Sequence, residues 1–395
     1  MRLLLAAAIA LSPLSQALAN DVPPVTDWDG VVEAARGEHV HWYAWGGETH
    51  INDFIAWVGE EVRERYGVRL TQVKLTDTAE AVTRVLAETV AGRTEGGAVD
   101  LVWINGENFV AMKENDLLFG DAWAHKLPNR ALVDMERFGA AIETDFAVPV
   151  DGLQSPWGRA QLVFIHDAGR TPEPPRSLEA LVSFAEENPG RFAYPQPPDF
   201  LGTSFLKQVL LSTVPDPAIL AEPAGEDAEA LVKAYMLPVL RALHPNLWRG
   251  GRVFPTSVAD LRRLFADGEI LLALTFNPSD ATAGVRDGVL PPSATVATFA
   301  GGSLGNVHFV AIPHNAEDKA GALVVANFLL APEAQARKAD PDVWGDPTVL
   351  DVDALAEEDS ALFAAEIPVD APTLPEPHVS WTDVIAQVWA EEFLR

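Results

Sequence analysis

The sequence predicts an α/β protein built as two lobes joined by a hinge. Three observations carry that prediction. Short β-rich runs alternate with helical patterns from Val40 onward, the signature of parallel strands joined by helical crossovers. The text changes character near residue 150, where Val148-Pro149-Val150-Asp151-Gly152 is too rich in stiffening and permissive residues for an ordinary helix. The chain has 395 residues, enough for two cores at about 100 to 200 residues per domain.

The first run, Val40 to Trp45, stops at Gly46-Gly47. A helix follows over about Thr49 to Tyr66, with Ile51, Phe54, Ile55 and Val58 on one face, then a strand from Arg69 to Leu75 and a helix from Ala79 to Ala91. Val99 to Ile104 is almost continuously apolar, as a strand buried on both faces should be, and runs into the polar turn Asn105-Gly106-Glu107-Asn108. Three successive βα units make an open sheet, and ligands of such sheets sit at the carboxyl ends of the strands.

Beyond the hinge, Gln161 to His166 reads as a strand, Leu178 to Glu187 as a helix and Arg191 to Tyr194 as a strand. The Pro-rich segment Pro195 to Pro198 leads to Gly202-Thr203-Ser204 ahead of an apolar-periodic helix, where small residues would leave N–H groups free at a helix start. Ser257 to Asp260 fits a capping box, Ile270 to Phe276 a buried strand, and Asn277-Pro278-Ser279 a strand-to-helix turn. The chain then returns: Phe309 to Ile312 is a strand closed by Pro313, and Ala322, Val325, Ala326, Leu329 and Leu330 share one helical face before Pro332. Lobe one is accordingly expected at 20–148 with 303–335, and lobe two at 152–298 with C-terminal helices in 340–395.

The ends and the composition place the chain in a cell. Residues 1–19 read as a secretory signal: Arg2 supplies the positive start, Leu3 to Leu11 the apolar stretch, and Ala17-Leu18-Ala19 the small-x-small cleavage pattern before Asn20. With Cys 0 there is no disulfide, no thiolate metal site and no cysteine for a lipid anchor, so a free periplasmic protein is expected. A formal net charge of −29 excludes a nucleic-acid partner, which demands a basic face; the acid either solvates the surface or draws a cation to a negative cleft. No G-x-x-x-x-G-K-[ST] loop is present, and no nucleotide or other cofactor is expected. His39 and His41 share one strand face but have no further ligand nearby in sequence, so no metal site is expected either.

Two segments resemble a known family. Val310-Ala311-Ile312-Pro313-His314-Asn315-Ala316 followed by Ala326-Asn327-Phe328-Leu329-Leu330-Ala331-Pro332-Glu333-Ala334-Gln335 is similar to the "IP-x-NA … NFLL-x-PEAQ" pattern of family-1 extracellular solute-binding proteins of ABC importers. Trp103 to Phe109, Tyr194 to Phe200 and Gly202-Thr203-Ser204 resemble its YnjB-like branch. The resemblance implies a type-2 periplasmic-binding-protein-like fold with the ligand cleft between its lobes. It also implies a small-molecule ligand trapped by hinge closure, an inner-membrane permease as partner, a monomer, and capture in place of catalysis.

On that reading the candidate ligand contacts are Trp45, Gly46, Gly47, Asn105, Glu107 and Asn108 from lobe one and Trp157, Gly202, Thr203, Ser204 and Asn277 from lobe two, with Ser303 and Asn306 at the return crossing. Glycines admit a ligand close to the backbone, hydroxyls and amides hold polar groups, and indoles stack on rings or cations. A cationic or aromatic ligand, thiamine-like or polyamine-like, suits Trp45, Trp157 and Glu107; a sugar suits the same residues. Against this stand core roles for the tryptophans and capping roles for the Asn and Ser residues.

One motif favours a secreted serine hydrolase: Gly301-Gly302-Ser303-Leu304-Gly305 matches G-x-S-x-G, with Asp346 or Asp370 and then His378 in α/β-hydrolase order. A nucleophile elbow needs a helix after the serine, however, and Val307 to Ile312 reads as a strand. A ligand-sensing module for a different membrane partner is the remaining alternative.

Overall fold

The computed structural model describes residues 22–363 and 371–394. The secretion signal at 1–19 and Asp370 lie outside the described residues. In chain order the strands are β1 (His39–Trp45), β2 (Arg69–Leu75), β3 (Leu101–Ile104), β4 (Thr144–Asp145), β5 (Val148–Pro149), β6 (Gln154–Gln161), β7 (Val163–Asp167), β8 (Leu272–Thr275), β9 (Ala294–Ala297), β10 (Ser303–Ala311) and β11 (Thr373–Leu374).

Lobe one is an open sheet in the order β11-β10-β3-β1-β2. Strand β1 pairs in parallel with β2 and β3, as βα units require. Its Val40, Trp42 and Ala44 are buried against the helix Thr49–Tyr66, which offers Ile51, Phe54, Ile55, Val58 and Val62. That helix stops where Gly67 takes the left-handed conformation, φ 73°. The returning helix Lys319–Phe328 is buried from Ala320 onward and belongs to the same core. Each fully buried Leu or Val there contributes about 1.5–3 kcal/mol over an exposed one.

Lobe two carries a smaller antiparallel sheet, β8-β7-β9, packed under the helices Phe200–Thr213 and Ala228–Leu243. The described residues form three hydrophobic cores: one around Trp42, Trp157 and Phe328, a second around Phe205, Leu240 and Trp389, and a smaller third around Val85, Ile104 and Phe109 in lobe one. The antiparallel pair β6–β10 joins the first two, in register from Gly305 opposite Gln161 to Ala311 opposite Gln154. Among the described residues no helix is long and apolar enough to cross a membrane.

Four details differ from the sequence reading. The segment Val148–Gly152 forms the short β4–β5 hairpin and a turn, with Asp151 at φ 52° and Gly152 at φ 68°; the lobe-to-lobe crossing is made by β6 just after it. Strand β6 was hidden by Pro156 and Gly158; Pro156 lies opposite Phe309, where the register slips, so its missing N–H breaks no regular ladder. Arg191–Tyr194 is no strand and keeps a single bridge, Phe192 to Leu272; the Phe192 carbonyl accepts from Trp248 N–H at 2.7 Å, outside the sheet. The C-terminal segment is divided: Trp344, Val349, Leu350 and Phe363 pack in the first core, whereas Leu374, Trp381, Ile385, Val388 and Trp389 pack in the second.

Candidate functional site

The polar turn that ends β3 stands beside the crossing strand β10, and the turn that ends β1 follows the next strand of the same sheet. The Trp45-Gly46 turn is fixed from below: Gln72 donates to the Trp45 carbonyl at 3.2 Å and Asn52 to the Gly46 carbonyl at 3.1 Å. Gly47 is obligatory, since a Cβ there would collide with the Trp45 ring folded over it. Trp45 itself is half-buried against the lobe-one core.

At the end of β3, Asn105 is half-buried and donates its Nδ2 to the Val307 carbonyl of β10 at 2.5 Å. Gly106 sits at φ 55°, with a hypothetical Cβ only 2.7 Å from the Phe146 ring, and its N–H donates to Asp145 Oδ1 at 3.0 Å. Glu107 is exposed and Asn108 half-buried. Burial pushes the Asp145 carboxyl up to about 7 despite hydrogen bonds from Gln154 and Gly106.

Strand β10 turns Asn306 and His308 to one side, two residues apart, and both are partly exposed while Val307 and Phe309 are buried. Each is backed by a buried ion pair. Asn306 hydrogen-bonds Glu376, which Lys207 also meets at 3.1 Å; His308 Nε2 faces Asp346 Oδ1 at 2.9 Å, and Lys338 bonds the other oxygen of that carboxylate. Burial raises Glu376 while Lys207 and Asn306 pull it back. Burial also works on Asp346, but Lys338 and His308 outweigh it and hold that carboxyl below its ordinary range. Lys207 lies 3.8 Å from the centre of the Phe146 ring, a cation–π contact from lobe two to the β4–β5 connection of lobe one. Gly158 makes room for the second pair, because a Cβ there would strike both Asp346 and Lys338.

The lobes also touch through Glu48 and Arg262. Glu48 precedes the helix Thr49–Tyr66 of lobe one; Arg262 lies on the helix Val258–Ala266 of lobe two, 3.9 Å away, and pairs with Asp280 of its own lobe. Asn277, half-buried at the end of β8, donates to the Trp344 carbonyl at 3.1 Å and accepts from Ser279 N–H, tying lobe two to the 340–347 loop.

Other residues named from the sequence fall elsewhere. Trp157 is fully buried, 0% exposed, among Trp42, Trp103, Trp344 and Phe54, so it is core in this conformation and offers no face to a ligand. Gly202, Thr203 and Ser204 are inside the helix Phe200–Thr213, not at its start; Asp199 already accepts from Gly202 N–H at 3.0 Å, and the hydroxyl-bearing pair is buried. Ser303 is buried, accepts from Gln161 at 3.1 Å and opens strand β10, so the G-x-S-x-G segment makes no elbow. Asp346 and His378 are bonded to other partners, His308 and Ser380. His39 is bonded to Thr71 at 2.8 Å and His41 to Asp100 at 3.2 Å, and among the described residues no group of three or more acidic or histidine side chains is placed to hold a metal ion.

The structure places Asn105 and Asn306 along the β3–β10 pairing and Asn277 against the 340–347 loop, leaves Trp45, Gly46, Gly47, Glu107 and Asn108 half-buried or exposed where β1 and β3 end, and holds Trp157, Gly202, Thr203, Ser204 and Ser303 in packed interiors. Sequence reasoning missed His308, Trp103, Glu48 and Arg262; the first two could have been found once β10 and β3 were paired. A separate groove of about 450 Å³ on lobe two, between Leu178, Leu211, Leu220, Phe299 and Pro375, carries none of the residues named as ligand contacts.

Comparison with known proteins fits this architecture. Residues 57–364 match the model of the family described as bacterial extracellular solute-binding protein. The chain is 46% identical over 369 residues to Protein YnjB of Escherichia coli (strain K12), covering 93% of this chain and 94% of that one. Among solved structures it resembles the spermidine/putrescine ABC transporter substrate-binding protein PotD of Streptococcus pneumoniae, with a TM-score of 0.62 at 14% identity over 90% of this chain and 98% of that one. It equally resembles the periplasmic binding protein AfuA of Actinobacillus pleuropneumoniae, solved with fructose-6-phosphate, with a TM-score of 0.62 at 13% identity over 90% of this chain and 99% of that one. At such identities the likeness is one of fold.

Proposed function

Because the chain belongs to the family of bacterial extracellular solute-binding proteins, we propose that it is an exported, unanchored receptor that captures a small molecule by closing its lobes and delivers it to the permease of an ABC importer. The observation that carries this reading is the β6–β10 pair, which links two separately packed cores and bears the partly exposed side chains of Asn306 and His308. Two antiparallel strands bend together more easily than either core deforms, so the soft coordinate of the molecule is rotation about that pair.

The ligand is bound at the junction of Trp45, Asn105, Glu107, Asn277 and Asn306. Its class is a cationic or aromatic small molecule, with a neutral sugar as the competing class. A ligand that binds the closed form alone raises apparent stability by about 2.7 kcal/mol at a hundredfold excess over Kd. The test is a thermal-shift screen of ligand-stripped protein against thiamine and its phosphates, amines and sugars, with small-angle scattering on each hit. A saturable stabilisation accompanied by compaction is expected. Stabilisation with no change in dimensions, or a serine-ester probe labelling Ser303, would count against hinge capture.

A further inference from the structure

Charged side chains from both lobes meet where the Trp45-Gly46-Gly47 turn enters the helix Thr49–Tyr66. Glu48, the residue before that helix, places one carboxylate oxygen 3.2 Å from His50 Nε2 in the helix's first turn and the other 3.9 Å from Arg262, on the helix Val258–Ala266 of lobe two. The carboxylate is therefore shared between an imidazole of its own lobe and a guanidinium of the other. Arg262 is also held by Asp280, the first residue of the helix Asp280–Arg286. The last residue of that helix, Arg286, reaches lobe one as well: it donates to the Pro341 carbonyl at 3.0 Å and lies 3.6 Å from Asp342, both just ahead of Trp344 in the first core. Its remaining nitrogens are engaged by Asp287.

The imidazole is the type of group in this cluster that changes charge between about pH 5 and 8. The side chains of His50 and Glu48 are 24% and 22% exposed, so their charges are screened less than on an open surface. Burial is the first cause that lowers the His50 pKa from its ordinary 6.5; after it, in order of size, Glu48 raises it, Arg262 and Arg286 lower it, and Asp287 raises it. Opening the lobes leaves Glu48 beside His50, because both belong to one helix start, and takes the three charges of lobe two away. The two stronger of those three oppose protonation. Lobe two thus disfavours the imidazolium, and a proton bound at His50 favours the open molecule.

We propose that His50 is an acid release for the closed lobes: once protonated, it repels Arg262 and Arg286 across the junction and draws Glu48 toward lobe one, so the closed form loses population as the surroundings acidify. Because it acts on lobe closure, this role of His50 rests on the receptor reading above. By linkage, a group that binds its proton more weakly in the closed form supports closure fully at high pH and withdraws that support as pH falls through and below the ordinary 6.5.

The test uses the ligand-free mature protein with one cysteine introduced in each lobe to carry a fluorescent donor and acceptor, since the sequence itself has none. Single-molecule transfer histograms between about pH 8 and about pH 5 count closed and open molecules. The closed-to-open ratio should fall about 2- to 5-fold, the scale of one partly accessible charge contact. His50→Gln keeps a donor beside Glu48 and carries no charge, so that fall should vanish; His50→Lys is charged throughout and should hold the low ratio even at about pH 8. Melting curves establish that both variants fold. Asp145 and Glu38, whose carboxyls burial pushes up to about 7, remain in every variant, so their contribution is common to all and subtracts. Two populations whose ratio stays flat, rises in acid, falls equally in His50→Gln, or is the same in His50→Lys as in His50→Gln would overturn the proposal and leave lobe closure standing. One unvarying transfer value at every pH and salt concentration would overturn it and lobe closure together.

Discussion

Replacing Glu48 by Gln removes an ion pair that spans the lobes, Glu48 to Arg262. The substitution is nearly isosteric and leaves Arg262 paired with Asp280 inside lobe two; within lobe one it also takes the carboxylate from His50, 3.2 Å away. Two unit charges at the observed 3.9 Å attract by about 1 kcal/mol in water. The side chains of Arg262 and Glu48 are 28% and 22% exposed, which keeps the contribution in the range of about 0.5–1 kcal/mol measured for accessible pairs. Its loss lowers the ratio of closed to open molecules by a factor of about 2–5. The chain has no cysteine, so Val90→Cys in lobe one and Ile219→Cys in lobe two, 81% and 48% exposed, can carry a fluorescent pair without competing labels. Transfer efficiency between them reads the closed fraction. Glu48→Gln should reduce it at about 0.01 M salt and have little effect at about 1 M, where the Debye length has fallen from about 30 Å to about 3 Å. An unchanged closed fraction at low salt would refute the idea that this pair holds the lobes together.

Two other outcomes are expected. Lys338→Met strands the buried Asp346 and should cost about 3–5 kcal/mol in urea unfolding; adding Asp346→Asn should recover much of it, and no recovery would mean the ammonium matters for packing instead. His244 is buried against Tyr194 and Phe393, and burial lowers it from 6.5 to about 4, so the unfolded chain binds a proton first. Stability should therefore fall as pH drops from about 6.5 to about 4, by up to roughly 3 kcal/mol, and an NMR titration showing His244 protonating near 6.5 would contradict this.

What the sequence discloses depends on how local the cause is. The helices Thr49–Tyr66 and Leu178–Glu187 and the strand Arg69–Leu75 have the ends expected from apolar periodicity, and Gly67 and Ser177 supply local stop and start signals. Strand β6 was illegible because Pro156 and Gly158 argue against a strand unless one knows that the first sits at a bulge and the second yields space to Asp346. Gly202-Thr203-Ser204 misled for a similar reason: its small residues permit close packing, since a Cβ on Gly202 would strike the Pro195 carbonyl, and they present nothing outward. The turns after Trp45 and Ile104 were legible as strand ends, because Gly46-Gly47 and Asn105-Gly106 interrupt the apolar runs locally. His308 and the Glu48–Arg262 contact could not be read, because partners separated by tens to hundreds of residues leave no periodic trace.

The sheet order also dictates when the molecule can become whole. Strand β3 finds its neighbour β10 only after some two hundred further residues, and the first core needs Trp344, Leu350 and Phe363 as well. The second core waits for Trp381 and Trp389, the last two tryptophans of the sequence. A chain emerging N-terminus first, from a ribosome or through a membrane pore, therefore cannot complete its first core before Phe363 has appeared, nor its second before the last helix, Trp381–Phe393, has appeared. Premature compaction inside the cell is discouraged by the order of the strands themselves, and a truncation of the last fifteen residues should leave a species that chaperones hold and proteases cut.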